Sequence, residues 1–279
     1  MSSSSPKKGE YAPPSSTSVR SPCPALNTLA NHGYIPRTGK SVQASELYEG
    51  LKIFGLDATI RAVFAYPIFI QRDDLPPDTS SAPPPLPSAT WRDILTNPIG
   101  TALRGFGMRP PGQTNANGVA ILNLDQLDIH NVVEHDVSMT RRDAAEGDNH
   151  TIDRELLAQL LASSTDGKVI TLADFVELRK KRYAQQQKAH PESLQFGAQA
   201  YQTACSEVVL VLKVFGDGEK VPLEYVRAFF EEERLPREEG WSRRRWLNLG
   251  LLEMNLLAGR VKRMIGYVPP VSETTVVAH

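Results

Sequence analysis

The 279-residue sequence predicts a mostly helical fold built as a single domain. Apolar residues recur at helical spacing along most of the chain, while segments with strand-like alternation are few and short. With 41% hydrophobic and 23% charged residues, the chain can bury one substantial core. The balance of 31 basic against 32 acidic residues provides no field that would gather nucleic acid. No run approaches the ~18 apolar residues of a membrane span, so none is expected.

The first twenty residues are rich in Ser, Pro and Lys and lack the apolar stretch of a secretory signal. They read as a flexible tail. If Met1 is the native start the chain is expected inside the cell; a mature secreted form would read the same way. A short helix follows at 24–32. Pro24 suits its first position, Leu26, Leu29 and Ala30 form an apolar stripe, and Gly33 offers a left-handed stop.

Periodicity predicts further helices at 43–56, 57–71, 91–104, 141–147, 152–162, 172–188, 196–215, 222–233 and 243–264. Thr171 with Asp174 has the form of a capping box, and Gly216-Asp217-Gly218 closes the 196–215 helix. Six prolines between Asp73 and Ser88 mark an irregular insertion over about 73–89, and a Gly/Pro/Asn-rich loop spans 105–118. The domain is expected over 21–266, with a C-terminal tail at 267–279. Arg243, Arg244, Arg245, Arg260, Lys262 and Arg263 read as the solvated face of the final helix.

Three clusters carry chemistry. Cys23 lies between two prolines at the N-cap of the first helix, where the dipole and free N–H groups favour an anion. A thiol there can fall from ~8.5 into the range of about 3.5 to 7.5, becoming a nucleophile or a soft metal ligand. Glu134, His135, Asp136 and Ser138 follow an apolar stretch; hard oxygen ligands this close suit a small hydrated dication, and a helix entry with solvated acids is the plainer alternative. Glu207 stands in an otherwise apolar helix, either as a buried proton carrier or at the edge of the apolar arc. His32 reads as a helix-end histidine and Cys205 as a small buried hydrophobe.

These pieces, with Gly147-Asp148-Asn149, Ser206-Glu207, Phe229 to Pro236 and Gly240-Trp241, resemble the haem-thiolate peroxidases. That group includes chloroperoxidase and the fungal unspecific peroxygenases, and the likeness is greatest to their short subfamily. The resemblance implies haem b with Cys23 as axial iron ligand. It implies Mg2+ or Mn2+ beside a haem propionate, held by Glu134, Ser138 and the His135 carbonyl. Glu207 would be the distal acid-base group, oriented by His135, with Asp136 holding the imidazole from behind. The fold implied is a helical domain enclosing haem between a proximal Cys helix and a distal Glu helix.

In the long peroxygenases a glycine replaces the histidine and an arginine partners the glutamate, so the resemblance places this chain with the short group. Hydrogen peroxide and a small hydrophobic organic molecule are the implied substrates, with Phe64, Ile68, Phe69, Val133 and Thr203 as channel candidates. The chain is expected to be a monomer or a noncovalent dimer. Halide oxidation, as in chloroperoxidase, is the alternative within the family. Outside it stand a cysteine-nucleophile hydrolase using His32 or His135, and a helical protein in which Cys23 and the Glu134 cluster hold a structural metal.

Overall fold

A computed structural model describes residues 5–75, 90–96, 101, 103–243 and 248–266. Helices dominate. They are α1 (Pro24–Asn31), α2 (Ala44–Gly50), α3 (Ala58–Ala65), α4 (Trp91–Thr96), α5 (Arg154–Leu161), α6 (Leu172–Ala189), α7 (Ala198–Phe215), α8 (Leu223–Phe230) and α9 (Leu251–Ile265). Two antiparallel pairs complete the description: β1 (Val42–Gln43) with β2 (Ile121–Leu122), and β3 (Val169–Thr171) with β4 (Lys220–Pro222).

Helix α7 runs through the middle of the core with Ala204, Cys205, Val208, Val209 and Leu212 buried, and packs along α9. At its C-terminal end Phe215 stacks with Phe229 at 4.5 Å between ring centres and with Trp241 at 5.6 Å. Trp241 donates its indole N–H to the Val214 carbonyl at 2.9 Å, so a large apolar body is buried without leaving its polar atom unpaired. Cys205 is fully buried, and burial pushes its thiol up to about 11.

Local signals place several boundaries. Thr171 caps α6 by accepting from the Asp174 N–H at 3.2 Å, while Asp174 accepts from the Thr171 N–H at 2.8 Å. Gly33 takes φ +67 after α1, where a Cβ would press on Arg37. Other boundaries move. Residues 43–56 and 57–71 each split into an α-helix followed by a 3-10 turn, Leu51–Phe54 and Pro67–Phe69. The expected helix at 141–147 is one 3-10 turn, Ala144–Glu146, because its side chains are drawn into ion pairs with other elements. The last helix starts only after Gly250, since Leu249 is held extended against Leu56.

The Pro-rich insertion from 76 onward, Arg244, Arg245 and the 267–279 tail lie outside the described residues. Arg243 precedes the last helix, and on α9 Arg260 is paired with Glu219 at the surface. Residues 5–20, expected as a flexible tail, are tied along α1: Gly9 donates to the His32 carbonyl at 2.7 Å, Ala12 to Asn31 at 2.9 Å and Val19 to Thr38 at 2.8 Å. Arg37 reaches back to the carbonyls of Lys7 at 2.8 Å and Glu10 at 3.0 Å. No described helix is long and apolar enough to cross a membrane.

Candidate active site

Cys23 occupies the N-cap of α1 in extended conformation, with Pro24 as the first helical residue. Its N–H donates to Ser21 Oγ at 3.2 Å. Burial pushes the thiol up, and the N–H groups of Leu26 and Ala25 only partly offset it. The lowered thiol expected from the helix terminus is therefore not found in the bare polypeptide, because desolvation of a thiolate outweighs two backbone dipoles. The charge of Glu207 adds to the rise and that of Arg141 opposes it, both less than burial does.

Glu207 projects from α7 with its side chain 41% exposed, on a helix whose other faces are in the core. Two groups hold its carboxylate. His135 Nε2 stands 3.4 Å from Oε1, and Arg179 Nη2 donates to Oε2 at 2.5 Å. Against the cost of burial, these partners hold the carboxyl down to about 2. His135 answers in kind: burial would lower it, but the Glu207 charge prevails and its pKa is raised.

The imidazole is oriented by its other nitrogen. His135 Nδ1 donates to the Asp136 carbonyl at 2.7 Å, which turns Nε2 toward Glu207. The expected support from the Asp136 carboxylate is thus replaced by its backbone. That carboxylate accepts instead from the N–H groups of Ala144 at 3.1 Å and Gln195 at 2.8 Å, securing the loop around the histidine.

Nothing in the local sequence around Glu207 points to Arg179, 28 residues earlier in the chain. It comes from α6 and also donates to the carbonyls of Val137 at 2.6 Å and Ala204 at 3.1 Å. The histidine and arginine partnerships that the resemblance assigns to separate subfamilies thus meet on one carboxylate. A cavity of about 230 Å³ is lined by Val137, Arg179, Tyr183, Phe196, Tyr201 and Ala204 among others, and neither Glu207 nor His135 lines it. None of the channel candidates lines this cavity. Phe64, Val133 and Thr203 are half-buried, whereas Ile68 and Phe69 are packed at 7% exposure.

Glu134 is buried, and His130 Nδ1 meets its Oε2 at 2.9 Å while Oε1 has no partner. Ligand atoms of His130, Glu134 and Asp136 lie within 4.8 Å of one another. His130 was missed by the sequence reading; its signal was the i, i+4 spacing to Glu134. Ser138 is half-buried nearby, its carbonyl accepting from Arg182 Nε at 3.1 Å. A buried carboxylate oxygen lacking a donor fits a cation, and a free, half-buried Cys23 sulfur at a helix N-cap fits the soft ligand of a haem iron.

The alternatives outside the resemblance fare worse. His32 Nε2 accepts from the Leu235 N–H at 3.0 Å and its Nδ1 donates to the Gly9 carbonyl at 2.9 Å, so neither nitrogen is available as a base. His135 Nε2 faces the Glu207 carboxylate at 3.4 Å. Among the described residues, the group that could share a metal contains Glu134 but not Cys23.

The family model described as "Peroxidase, family 2" matches residues 9–246. The chain is 30% identical over 227 residues to an aromatic peroxygenase of Cyclocybe aegerita, covering 78% of this chain and 53% of that protein. It is 28% identical over 232 residues to an aromatic peroxygenase of Coprinellus radians, covering 78% and 77% respectively. A chloroperoxidase of Leptoxyphium fumago shares 54% identity over 37 residues, 13% of this chain and 10% of that one. The chain thus spans about half the length of the Cyclocybe relative. Because the family model matches most of the chain, a region that includes Cys23, the Glu134 cluster, Arg179 and Glu207, the chain belongs to peroxidase family 2.

Proposed function

We propose that this chain is a hydrogen-peroxide-dependent haem-thiolate oxidoreductase of the peroxygenase kind, transferring oxygen to C–H or C=C bonds of small hydrophobic molecules. The observation that carries the reading is the Glu207 carboxylate on α7, held by Arg179 at 2.5 Å and faced by His135 at 3.4 Å, in a chain that also presents Cys23 at the N-cap of α1. When bound, haem supplies an iron that activates peroxide, and a thiolate ligand donates the electron density that favours O–O cleavage.

The polypeptide then has three tasks. Cys23 presents sulfur at the mouth of α1, with backbone N–H groups that favour its anionic form. Glu207, held at about 2, is a carboxylate at neutral pH and so is ready to take a proton from peroxide at Oε1 and return it to the leaving oxygen. Arg179 fixes Oε2 and His135 faces Oε1, so the carboxylate stays aimed through both transfers. Glu134, with Ser138 and the His135 carbonyl, is proposed to hold Mg2+ or Mn2+ at a propionate. Phe64, Val133 and Thr203 are proposed to line the substrate approach.

Halide oxidation is the second reading, favoured by the histidine beside Glu207 that the resemblance shares with chloroperoxidase. One experiment separates them. Hemin-reconstituted protein is given a small alkylbenzene and hydrogen peroxide, first without and then with chloride. A hydroxylated product in the first reaction supports the peroxygenase; chlorination alone supports the second reading. Protein that takes up no haem, or lacks the red-shifted Soret band of a thiolate-ligated carbon monoxide complex, rejects both.

A further inference from the structure

A side-chain amide ties the turn that carries Cys23 to Glu233, far along the chain. Asn27 Oδ1 accepts from the Ser21 N–H at 2.8 Å, while Nδ2 donates to the Ser21 carbonyl at 2.8 Å and to Glu233 Oε1 at 2.7 Å. Both amide hydrogens and the carbonyl are used, so its orientation is determined. The same Glu233 oxygen accepts from Arg141 Nη2 at 2.7 Å. Asn27 is 1% exposed, Arg141 2% and Glu233 9%.

Among the described residues, Arg141 is otherwise bound to neutral groups, Thr140 Oγ1 at 2.9 Å and the His150 carbonyl at 3.3 Å. Glu233 is the one carboxylate paired with it among the described residues. Arg141 and Asn27 thus share one Glu233 oxygen, so the guanidinium is linked through Glu233 and Asn27 to Ser21 in the cysteine turn. Glu233 itself has φ +50, a left-handed conformation uncommon for a glutamate. Such geometry persists only where surrounding contacts over-determine it, and here they do: the Glu233 carbonyl accepts from Asn31 Nδ2 at 3.1 Å and the next N–H donates to Ala228 at 3.0 Å.

Resting on the haem-thiolate reading above, we infer that Glu233 is a positioning residue for Cys23: it anchors Asn27 against the cysteine turn and serves as counter-ion to the Arg141 that shares its Oε1 with Asn27. Nothing in the sequence joins these roles, since Glu233 lies 206 residues from Asn27 and 92 from Arg141. Electrostatically, Glu233 neutralises the guanidinium that shares its Oε1 with Asn27 behind the cysteine turn. Losing the carboxylate would leave an unbalanced positive charge, which favours the reduced, less positive iron.

Glu233→Gln tests this because the amide keeps an acceptor for Asn27 and removes the charge. In the haem-loaded variant the midpoint potential should rise, changing the ferrous-to-ferric ratio at fixed potential about ten-fold, ~59 mV for a one-electron couple. Arg141→Gln should move it the opposite way, and the double variant should return toward wild type. A Glu233→Gln potential giving less than about a two-fold change in that ratio overturns the inference, as does a shift of the same sign in both single variants. If Glu233→Gln fails to fold, Arg141→Gln alone decides: a fall supports the pairing and an unchanged potential overturns it. Wild-type protein without the thiolate Soret signature would instead reject the underlying reading.

Discussion

Replacing Glu207 by glutamine should remove a pH-dependent part of the folding free energy whose sign and window follow from the site. The carboxyl titrates at about 2 when folded, against an ordinary 4.5. A depressed pKa means that the folded state favours the ionised form, so the stabilisation is complete above about 4.5 and is lost as pH falls toward about 2. Full burial would make this ~3 kcal/mol at neutral pH. With the side chain 41% exposed, solvent screening reduces it to roughly 1–2 kcal/mol.

The raised His135 behaves oppositely. Its contribution is complete below 6.5 and disappears as pH rises through the folded value, so the His135–Glu207 pair is strongest between about 4.5 and 6.5. Urea denaturation of wild type and Glu207→Gln at a series of pH values measures the difference. Distant carboxylates such as Asp153 titrate alike in both and cancel. The expected difference of roughly 1–2 kcal/mol near pH 6 should shrink toward zero by about pH 2. A difference that stays flat across that range would refute an ion-paired Glu207.

In the haem-loaded protein, the same Glu207→Gln variant should retain its spectrum while peroxide turnover falls on the order of a hundred-fold or more, as single-turnover kinetics would show. Arg179→Met should cost ~3 kcal/mol of stability in denaturant, since three acceptors lose a buried cation; Arg179→Lys, unable to span Val137, Ala204 and Glu207 together, should recover only part of it. Asp143 offers the reverse pH test. Burial and the neighbouring Asp136 raise it to about 7 despite Arg182, and its Oδ2 has no partner, so Asp143→Asn should gain stability relative to wild type as pH rises from 3.8 toward about 7. An equal pH slope in both proteins would show that Asp143 is ionised throughout. At Gly39, φ is +71 and a Cβ would lie 2.1 Å from the Val19 carbonyl oxygen, so Gly39→Ala should detach the N-terminal segment and increase proteolysis near Val19.

Much of the framework was legible because it depends on short-range geometry. Pro24 starts a helix through its own ring, Thr171 reaches Asp174 within one turn, and Gly33 supplies a conformation other residues resist. The motif order around Cys23, Glu134 and Glu207 was sufficient for the resemblance. The helix expected at 141–147 was misread because Arg141 and Asp143, which look like an amphipathic turn, are drawn to Glu233 and Arg182.

Sequence alone determined which residue types were available and where the local turns of backbone would present Cys23, His135 and Glu207. Only the tertiary structure decided the company they keep. Arg179 meets Glu207 from another helix, His135 is braced by a carbonyl rather than a carboxylate, and Glu233 reaches the cysteine turn from the far end of the chain. The sign of the Cys23 shift was decided there too, for a helix N-terminus acts over one turn whereas desolvation depends on everything packed around the sulfur.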